Sequence, residues 1–461
     1  MIIYRKRFAY NHITGKAILV FKRKIYDKMV SWKRESQGRT ALLIQGARRI
    51  GKSTIAEEFA KNEYKSYIMI DFSNASSEVA RLFRDMSDLD YFFLRLQMLY
   101  HVRLYPRESL IIFDEVQLQP LARQAIKHLV KDRRYDYLET GSLISIRKNI
   151  ENILIPSEER KLPMYPMDYE EFLWAKGDEA TVPLLRECYA QQKSLGNSVH
   201  RKQMQDFRLY MLVGGMPQAV EAYLDTNNFE QIDSAKRTIL DLYENDFRKI
   251  DQSGRAAQIF DAIPAMLGKQ FHRYKVSIVI RGQRSNDVRN VVADLQDSMT
   301  VLPTFRTSDP GAGLSFSKDI DYYKMYICDT GLFVTLAFKD KDFTENVIYE
   351  KLLRGKLQTN LGYLYENAVA QILQAKGDSL FYYTFQTETS NHIYEVDFLL
   401  ARQHKICPIE VKSSHYLKHA SLDRFRAKFG NHISNAVVVC TNDYNKQDGV
   451  KYIPIYMAQF L

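Results

Sequence analysis

Short apolar runs alternate with amphipathic stretches through the first third of the chain. Each run has about the length of a strand and is followed by a segment with helical periodicity. The runs predicted as strands are 41–45, 67–72, 110–114 and 136–140. Such alternation predicts a three-layer α/β core, a parallel sheet covered by helices on both faces. Ahead of it an amphipathic helix is predicted at 21–36, with an apolar side formed by Ile25, Met29, Val30 and Trp32.

Beyond residue 180 the pattern changes to helices and then to short strands. Residues 181–257 are predicted to be mostly helical, with a glycine turn at Gly214-Gly215. The next segment has helical pieces, then two strands joined by a stretch rich in glycine, serine and proline, which is the order of a winged-helix module. The last segment predicts a helix followed by a two-stranded hairpin. The expected domain bounds are 1–36, 37–180, 181–257, 258–340 and 341–461.

A glycine-rich turn joins the first predicted strand to the helix after it. It reads G-x-x-x-x-G-K-S from Gly46 to Ser53, the pattern of a phosphate-binding P-loop. Its backbone N–H groups cradle phosphates, Lys52 reaches the β- and γ-phosphates, and the Ser53 hydroxyl is a ligand for Mg²⁺. The residues expected to bind ATP here are Gly46, Ala47, Arg48, Arg49, Ile50, Gly51, Lys52, Ser53 and Thr54.

Two carboxylates end the strand predicted at 110–114, roughly 60 residues after the P-loop. Asp114 is expected to hold Mg²⁺, and Glu115 to orient the water that attacks the γ-phosphate. On the next predicted strand, Thr140 or Ser142 is a candidate sensor of the γ-phosphate. The alternative for these two residues is an ordinary strand-to-loop turn.

Composition narrows the class of protein. With 461 residues, 46% of them apolar and 26% charged, the chain is expected to form a soluble protein of two to four domains. No run approaches the roughly 18 apolar residues of a membrane span, and the N-terminus lacks a signal-peptide pattern, so no membrane association is expected. The four cysteines lie far apart without a C-x-x-C pair, which favours a cytoplasmic location over a disulfide or zinc framework.

The formal net charge of +10 is unevenly distributed. Residues 1–53 contain 14 Lys and Arg against 2 acidic residues, and the rest of the chain contains 51 basic and 53 acidic residues. A basic N-terminal arm is able to contact nucleic acid or an acidic protein partner. The alternative, a solvated helix face, is the more common outcome for such a run.

A second group of charged residues lies in the C-terminal hairpin. Its first strand carries Asp397, and its return strand carries Glu410 and Lys412 on one face, because side chains alternate along a strand. If Asp397 lies opposite them, the group forms a candidate Mg²⁺ site for phosphodiester hydrolysis, with Lys412 steadying the attacking water or the phosphate. Glu366, on the preceding helix, is a candidate for a further ligand or a charge partner. A solvated sheet face is the alternative.

These motifs resemble a widespread group of prokaryotic AAA-type ATPases, in which a C-terminal region of uncharacterised function follows the P-loop domain. The resemblance spans about residues 21–461 and leaves residues 1–20 outside it, as an extension or a misassigned start. The matching segments are Lys22–Tyr26, Leu43–Thr54, Ile112–Glu115, Glu139–Ser142, Gly214–Pro217, Lys324–Leu332 and Tyr365–Asn367.

The resemblance implies an AAA-like core at 37–180 and, at 341–461, a fold similar to PD-(D/E)xK nucleases, also called restriction-endonuclease-like. Carried onto the nuclease pattern, Asp397, Glu410 and Glu366 become metal ligands and Lys412 the catalytic lysine. Val396 stands where that pattern has proline before the first aspartate.

The resemblance also implies assembly of several copies of the chain. AAA assemblies complete their ATP sites with an arginine finger from a neighbouring subunit. Arg160 and Arg147 are the candidates for that role, and a surface arginine is the alternative for both.

Three functions are compatible with the sequence. The first is a Mg²⁺-dependent ATPase coupled to a nuclease-like domain that processes nucleic acid. The second is an ATP-driven switch that binds a protein partner through a non-cleaving C-terminal module. The third is an ATP-responsive DNA-binding regulator, which the acidic residues of the candidate recognition helix at 285–297 disfavour.

Overall fold

The structure is a computed structural model, and its residues fall into two compact units. The first unit comprises residues 1–165 and 297–299, and the second comprises 166–296 and 300–461. The residues described are 8–10, 17–141, 157–269, 271–280, 288–339, 349–350, 353–354, 362–387 and 390–461.

The first unit combines a small hairpin with an α/β domain. Its strands are β1 (Phe8–Tyr10), β2 (Ala17–Leu19), β3 (Ala41–Gln45), β4 (Ser66–Asp71), β5 (Ser109–Asp114), β6 (Asp136–Gly141) and β7 (Glu159–Pro163). Its helices are α1 (Ile25–Ser36), α2 (Lys52–Glu63), α3 (Ser77–Leu82), α4 (Leu89–Tyr100) and α5 (Pro120–Asp132). The four strands predicted from apolar runs are confirmed to within one residue at each end.

Strands β3 to β7 form one parallel sheet in the order β4-β5-β6-β3-β7. Strand β6 therefore separates β3 from β5, and the carboxyl ends of all three lie at the same edge. In this register Ile44 pairs with Thr140, and Phe113 pairs with Glu139. The loop after β3, the end of β5 and the end of β6 are thereby brought together, as parallel pairing requires.

The burial of each strand explains why the inner strands were predicted from the sequence and the edge strand β7 was not. Every residue of β3, β5 and β6 is buried. Strands β3 and β5 are mainly apolar, whereas β6 also buries Asp136, Glu139 and Thr140. Strand β7 is an edge strand with the sequence ERKLP, and none of its residues is fully buried. Its sequence is polar, and no apolar run marked it. The amphipathic helix predicted at 21–36 is confirmed as α1, although Val30 is only half-buried.

The second unit begins with a helical region. Its helices are α6 (Tyr169–Ala175), α7 (Thr181–Ala190), α8 (Asn197–Val213), α9 (Pro217–Thr226), α10 (Phe229–Ile250), α11 (Arg255–Asp261), α12 (Ile263–Gly268), α13 (Val276–Val279), α14 (Arg289–Asp297), α15 (Thr330–Ala337), α16 (Gly362–Ala375) and α17 (Ala420–Phe429). Its strands are β8 (Val301–Thr307), β9 (Lys318–Ile327), β10 (Phe381–Thr387), β11 (Ser390–Arg402), β12 (Lys405–Lys412), β13 (Ala436–Cys440), β14 (Asn445–Gln447) and β15 (Val450–Pro454). The helical character expected for 181–257 is confirmed.

These strands form one mixed sheet in the order β14-β15-β13-β12-β11-β10-β8-β9. Strands β8 and β9 are the antiparallel pair that the sequence predicted as the strands of a winged helix. Strand β8 also pairs in parallel with β10, through Phe305 opposite Phe381. The two strands are thus part of the C-terminal sheet, and the boundary expected at 340/341 divides strands that belong to one sheet. The winged-helix module remains a prediction.

The helices were also compared with the dimensions of a bilayer. Among the residues that the structure describes, no helix combines the length and apolar character needed to cross a membrane.

Candidate functional site

The P-loop connects β3 to α2 and adopts a strained conformation. Gly51 has φ +92° and precedes α2, and Arg49 has φ +68°, a value that side chains other than glycine rarely adopt. Gly46 is enclosed so tightly that a Cβ there would lie 2.4 Å from the carbonyl oxygen of Met164. None of the described side chains caps α2, and helix N-termini of this kind bind anions through their N–H groups.

Lys52 lies within the loop. Its ammonium donates hydrogen bonds to the carbonyl oxygens of Gly46 at 3.0 Å and Ala47 at 2.9 Å. Burial lowers the pKa of Lys52 to about 8, and the nearby charges of Glu115 and Asp114 oppose this shift. The contacts hold the ammonium inside the curve of the loop, where a bound phosphate would meet it.

The carboxylate of Asp114 accepts hydrogen bonds from hydroxyl groups of two neighbouring segments. The Ser53 hydroxyl donates to Asp114 Oδ1 at 2.7 Å, and the Thr140 hydroxyl donates to the same oxygen. Burial raises the pKa of Asp114, although both hydrogen bonds act to lower it. Ser53, Asp114 and Thr140, three of the side chains predicted for this site, are therefore in direct contact.

Glu115 lies beside this group on the carboxyl side of β5. Its backbone has φ +52°, and its N–H donates to the Thr140 hydroxyl at 3.3 Å. Gln117 donates from its side-chain amide to Glu115 Oε2 and so fixes the direction of the carboxylate. Gln117 was not singled out in the sequence, because nothing in its local pattern distinguishes it.

The structure describes only one of the two arginine-finger candidates, Arg160, and it does not describe the second sensor candidate, Ser142. Arg160 lies on β7, half-exposed, and pairs with Glu35 of α1 at 2.6 Å. Arg147 and Ser142 lie outside the residues that the structure describes. The identity of an arginine finger therefore remains a prediction.

In the second unit, the C-terminal hairpin has the register that the candidate metal site required. Phe398 pairs with Ile409, so Asp397 and Glu410 follow as the next opposing residues. The regular pairing of the two strands ends at Phe398 and Ile409, and the N–H of Val411 donates to Asp397 Oδ2 at 2.7 Å. The side chain of Asp397 thus takes the place of a ladder hydrogen bond and lies against the strand that carries Glu410.

Glu410 and Lys412 interact directly on the same face of β12. Lys412 Nζ lies 2.8 Å from Glu410 Oε1, and Glu410 Oε2 is buried without a hydrogen-bond partner among the described residues. Burial raises the pKa of Glu410 and, together with the negative charges of Glu410 and Glu366, that of Asp397. Burial therefore disfavours the ionised form of both carboxylates.

Three further residues complete this carboxylate cluster, and sequence reasoning missed them as site residues. The buried ammonium of Lys324 on β9 contacts Glu395 Oε1 and lies 4.0 Å from Glu366 Oε2. His272 Nδ1 lies 2.8 Å from the other oxygen of Glu395. Burial alone would raise the pKa of Glu395, but Lys324 and His272 lower it below its usual value. Glu395 is two residues before Asp397 on β11, so the two side chains lie on the same face of the strand. This spacing is the one sequence signal that could have identified Glu395 as a site residue.

The cluster has a formal excess of negative charge. Its carboxylates outnumber its ammonium groups by four to two, the members being Glu366, Glu395, Asp397 and Glu410 against Lys324 and Lys412. Across the described ranges, no three His, Cys, Asp or Glu side chains lie close enough together to hold a metal ion. A cation here would therefore be held by fewer protein ligands, which is the usual situation for Mg²⁺.

Three family models match consecutive parts of the chain. Residues 38–173 match an AAA domain, residues 204–342 match a domain of unknown function (DUF8612), and residues 361–458 match another domain of unknown function (DUF4143). No curated protein matches the chain in sequence.

Solved structures similar to the chain include a DNA-bound protein, a branch migration motor and a signal transduction ATPase. The Orc1 protein of Aeropyrum pernix in complex with DNA is 14% identical, with a TM-score of 0.29, over 70% of this chain and 93% of that chain. The RuvB Holliday junction branch migration motor of Thermotoga maritima is 10% identical, with a TM-score of 0.29, over 60% of this chain and 87% of that chain. A signal transduction ATPase with a tetratricopeptide repeat sensor from Pyrococcus horikoshii is 9% identical, with a TM-score of 0.28, over 77% of this chain and 48% of that chain. TM-scores this low assign neither a fold nor a function.

The assignment of the first unit depends on its own geometry and on the matching family model. The parallel sheet places the P-loop lysine, the Ser53 hydroxyl and the carboxylate of Asp114 at one edge. The AAA family model covers the same strands. Residues 38–173 are therefore an AAA-type P-loop ATPase domain.

Proposed function

We propose that this domain binds Mg²⁺-ATP and hydrolyses it. The observation that carries the proposal is the direct contact of Ser53 and Thr140 with Asp114, beside a loop that already encloses Lys52. The N–H groups of residues 46–54 bind the phosphates, and Lys52 neutralises charge on the β- and γ-phosphates. Glu115 orients the attacking water and accepts its proton, and Thr140 contacts the γ-phosphate.

The oxygen atoms at this site fit a hard divalent cation. Ser53 Oγ and Asp114 Oδ1 lie 2.7 Å apart, and the pKa of Asp114 is raised by burial, so a cation would stabilise its ionised form. Ser53 would hold Mg²⁺ directly and Asp114 through water. When bound, Mg²⁺ neutralises charge on the phosphate oxygens.

Substitution of Glu115 by Gln tests hydrolysis separately from binding. We expect ATP turnover to fall by about 100-fold or more, since the general base is removed, while the affinity for Mg²⁺-ATP is retained. Lys52→Ala should instead weaken binding itself. Steady-state phosphate release and titration calorimetry measure the two effects, with the exposed Glu108→Gln as the matched control. Wild-type turnover in Glu115→Gln would contradict the role of Glu115.

We further propose that the carboxylate cluster of the second unit is a metal-dependent phosphodiesterase site. Two observations support this function: Glu410 Oε2 is buried without a partner among the described residues, and the cluster has an excess of two negative charges. Asp397 and Glu410 would hold Mg²⁺, with Glu366 as a charge partner, and the cation when bound would activate water and neutralise the phosphate. Lys412, held by Glu410, would steady the attacking water or the phosphate.

Asp397→Asn and Lys412→Ala test this site. With Mg²⁺ or Mn²⁺ the wild-type protein should cleave labelled single- or double-stranded oligonucleotides, and both variants should lose about 100-fold or more of that activity. The Lys418→Ala variant, at an exposed residue after the hairpin, serves as a surface control. Calorimetric titration with Mn²⁺ alone should show binding to the wild type that Asp397→Asn weakens.

The same experiment separates the two roles considered for the C-terminal module. If the wild-type protein binds Mn²⁺ but cleaves no nucleic acid, the cluster is not a nuclease. The second unit would then be a binding module for a protein partner, driven by the ATPase domain. Complexes trapped by Glu115→Gln with ATP would contain that partner, or further copies of the chain if the domain assembles as other AAA domains do.

A further inference from the structure

Arg23 lies just before α1 and contacts the P-loop from outside the segment that matches the AAA family model. Its side chain is only 7% exposed. Nη1 donates to the carbonyl oxygen of Ile50 at 2.8 Å, and Nη2 donates to the carbonyl oxygen of Tyr165 at 2.6 Å. One guanidinium thus joins the end of the loop to the segment that follows β7.

The hydrogen bond to Ile50 determines the direction of the peptide unit that includes the N–H of Gly51. In a trans peptide the C=O and N–H point in opposite directions, and the described residues contain no cis peptide bond. With the carbonyl of Ile50 held by Arg23, the N–H of Gly51 points away from the guanidinium. This N–H belongs to the set that a P-loop directs at phosphate oxygens.

The loop needs such support because its backbone is strained. Arg49 and Gly51 have positive φ values on either side of Ile50, and side chains other than glycine rarely adopt the value found at Arg49. Strained conformations persist only where surrounding contacts enforce them. The segment joined by Arg23 also supports the start of the loop, since the N–H of Met164 donates to the carbonyl of Gln45 at 2.7 Å.

Helix α1 anchors the arginine. The ring of Tyr26 packs edge-to-face on Phe59 of α2, and its hydroxyl donates to Glu63 at 2.9 Å. Trp32 is 1% exposed and donates to Thr40 at 3.2 Å. Arg23 is therefore fixed relative to both the helix and the strand that enclose the P-loop.

We infer that Arg23 is a positioning residue of the ATP site, which holds the Ile50–Gly51 peptide in the orientation that binds phosphate. The inference rests on the proposed ATP binding and extends the site to α1. It explains why a buried arginine donates to main-chain carbonyls at this position, because charge-assisted hydrogen bonds hold a peptide more firmly than neutral ones.

Arg23→Met tests the inference, since methionine preserves much of the aliphatic packing and removes both donors. We expect the affinity for Mg²⁺-ATP and Mg²⁺-ADP, measured by calorimetry, to fall by about 10-fold or more. Arg23→Lys, with an ammonium that reaches a single carbonyl, should lie between Arg23→Met and wild type. The exposed Arg34 on α1 provides the control, Arg34→Met, which should bind like wild type.

Chemical rescue separates positioning from a purely structural role. Millimolar guanidinium added to Arg23→Ala should restore part of the ATP affinity, whereas the same concentration should leave wild type and Arg34→Met unchanged. Wild-type affinity in Arg23→Met, or in Arg23→Lys if the methionine variant does not fold, would overturn the inference and leave the proposed function standing. Failure of the wild-type protein to bind Mg²⁺-ATP would overturn both.

Discussion

Three buried charged side chains meet on one side of the ATPase sheet. Arg123 of α5 forms a two-bond ion pair with Glu159 of β7, at 3.0 and 2.9 Å, and both side chains are nearly inaccessible. Glu139 of β6 is fully buried nearby, and neither of its carboxylate oxygens has a hydrogen-bond partner among the described residues. Burial, and then the negative charge of Glu159, raise the pKa of Glu139 well above its usual value.

The substitution Glu139→Gln should therefore stabilise the protein. We expect the free energy of unfolding at pH 7 to rise by about 1–3 kcal/mol, because a buried carboxyl without partners is replaced by a neutral group of the same size. The folded-state pKa of Glu139 is raised above its unfolded value of 4.5. The contribution of Glu139 to the free energy of unfolding is therefore fully present below pH 4.5 and is lost as the pH rises through the folded-state pKa. The gain should therefore shrink in acid.

Urea unfolding at several pH values measures this effect, and Glu159→Gln is the matched contrast. That variant breaks the buried ion pair with Arg123 and should lose about 3–5 kcal/mol. An unchanged or lower stability of Glu139→Gln at pH 7 would show that the carboxylate has a partner in solution.

At the scale of elements, two motifs of the second unit contact each other, namely the glycine turn Gly214–Pro217 and the segment Lys324–Leu332. Asp329 caps α15 by accepting the N–H of Leu332 at 2.9 Å, and its other oxygen accepts the N–H of Gly215 at 2.5 Å. A Cβ on Gly215 would lie 2.0 Å from the carbonyl oxygen of Met167. The glycine turn therefore has a packing role, which accounts for both motifs without a ligand.

Gly215→Ala should disrupt this contact. We expect a loss of about 2–4 kcal/mol in the free energy of unfolding, because the Met167 carbonyl belongs to the backbone and cannot move without shifting the segment before α6. Gly430→Ala is the control, since nothing lies within 4 Å of its Cβ position and its φ is negative. Chemical denaturation compares the two, and equal stability of both variants would disprove the close approach.

At the scale of the whole molecule, the basic charge near the N-terminus is partly used inside the first unit. Lys33 donates to the carbonyl of Glu63 and lies 4.0 Å from the centre of the Tyr64 ring. Arg39 donates to two main-chain carbonyls at the end of α1. Together with Arg23 and Lys52, these contacts favour local structural roles for the basic residues of α1 and the P-loop over a single nucleic-acid-binding arm.

Prediction from sequence succeeded where one continuous segment contains all the residues that form the structural feature. The P-loop binds phosphate through consecutive N–H groups, so its residues must be neighbours in sequence, and the buried strands β3 and β5 are mainly apolar because helices cover both faces of the sheet. In the C-terminal hairpin, alternation placed Glu410 and Lys412 on one face of β12, but the position of Asp397 relative to Glu410 depended on the register between the strands.

What the sequence alone determined is therefore the type of chemistry: a phosphate loop, a strand ending in carboxylates and a hairpin with Asp, Glu and Lys. Tertiary structure decided which distant residues join these sites. It brought Arg23 to Ile50 and Tyr165, and Lys324 to Glu395. Such partners are invisible in a single sequence, because an isolated Arg or Lys has no local pattern that names its partner. The packing of strands and helices alone sets the distance between them.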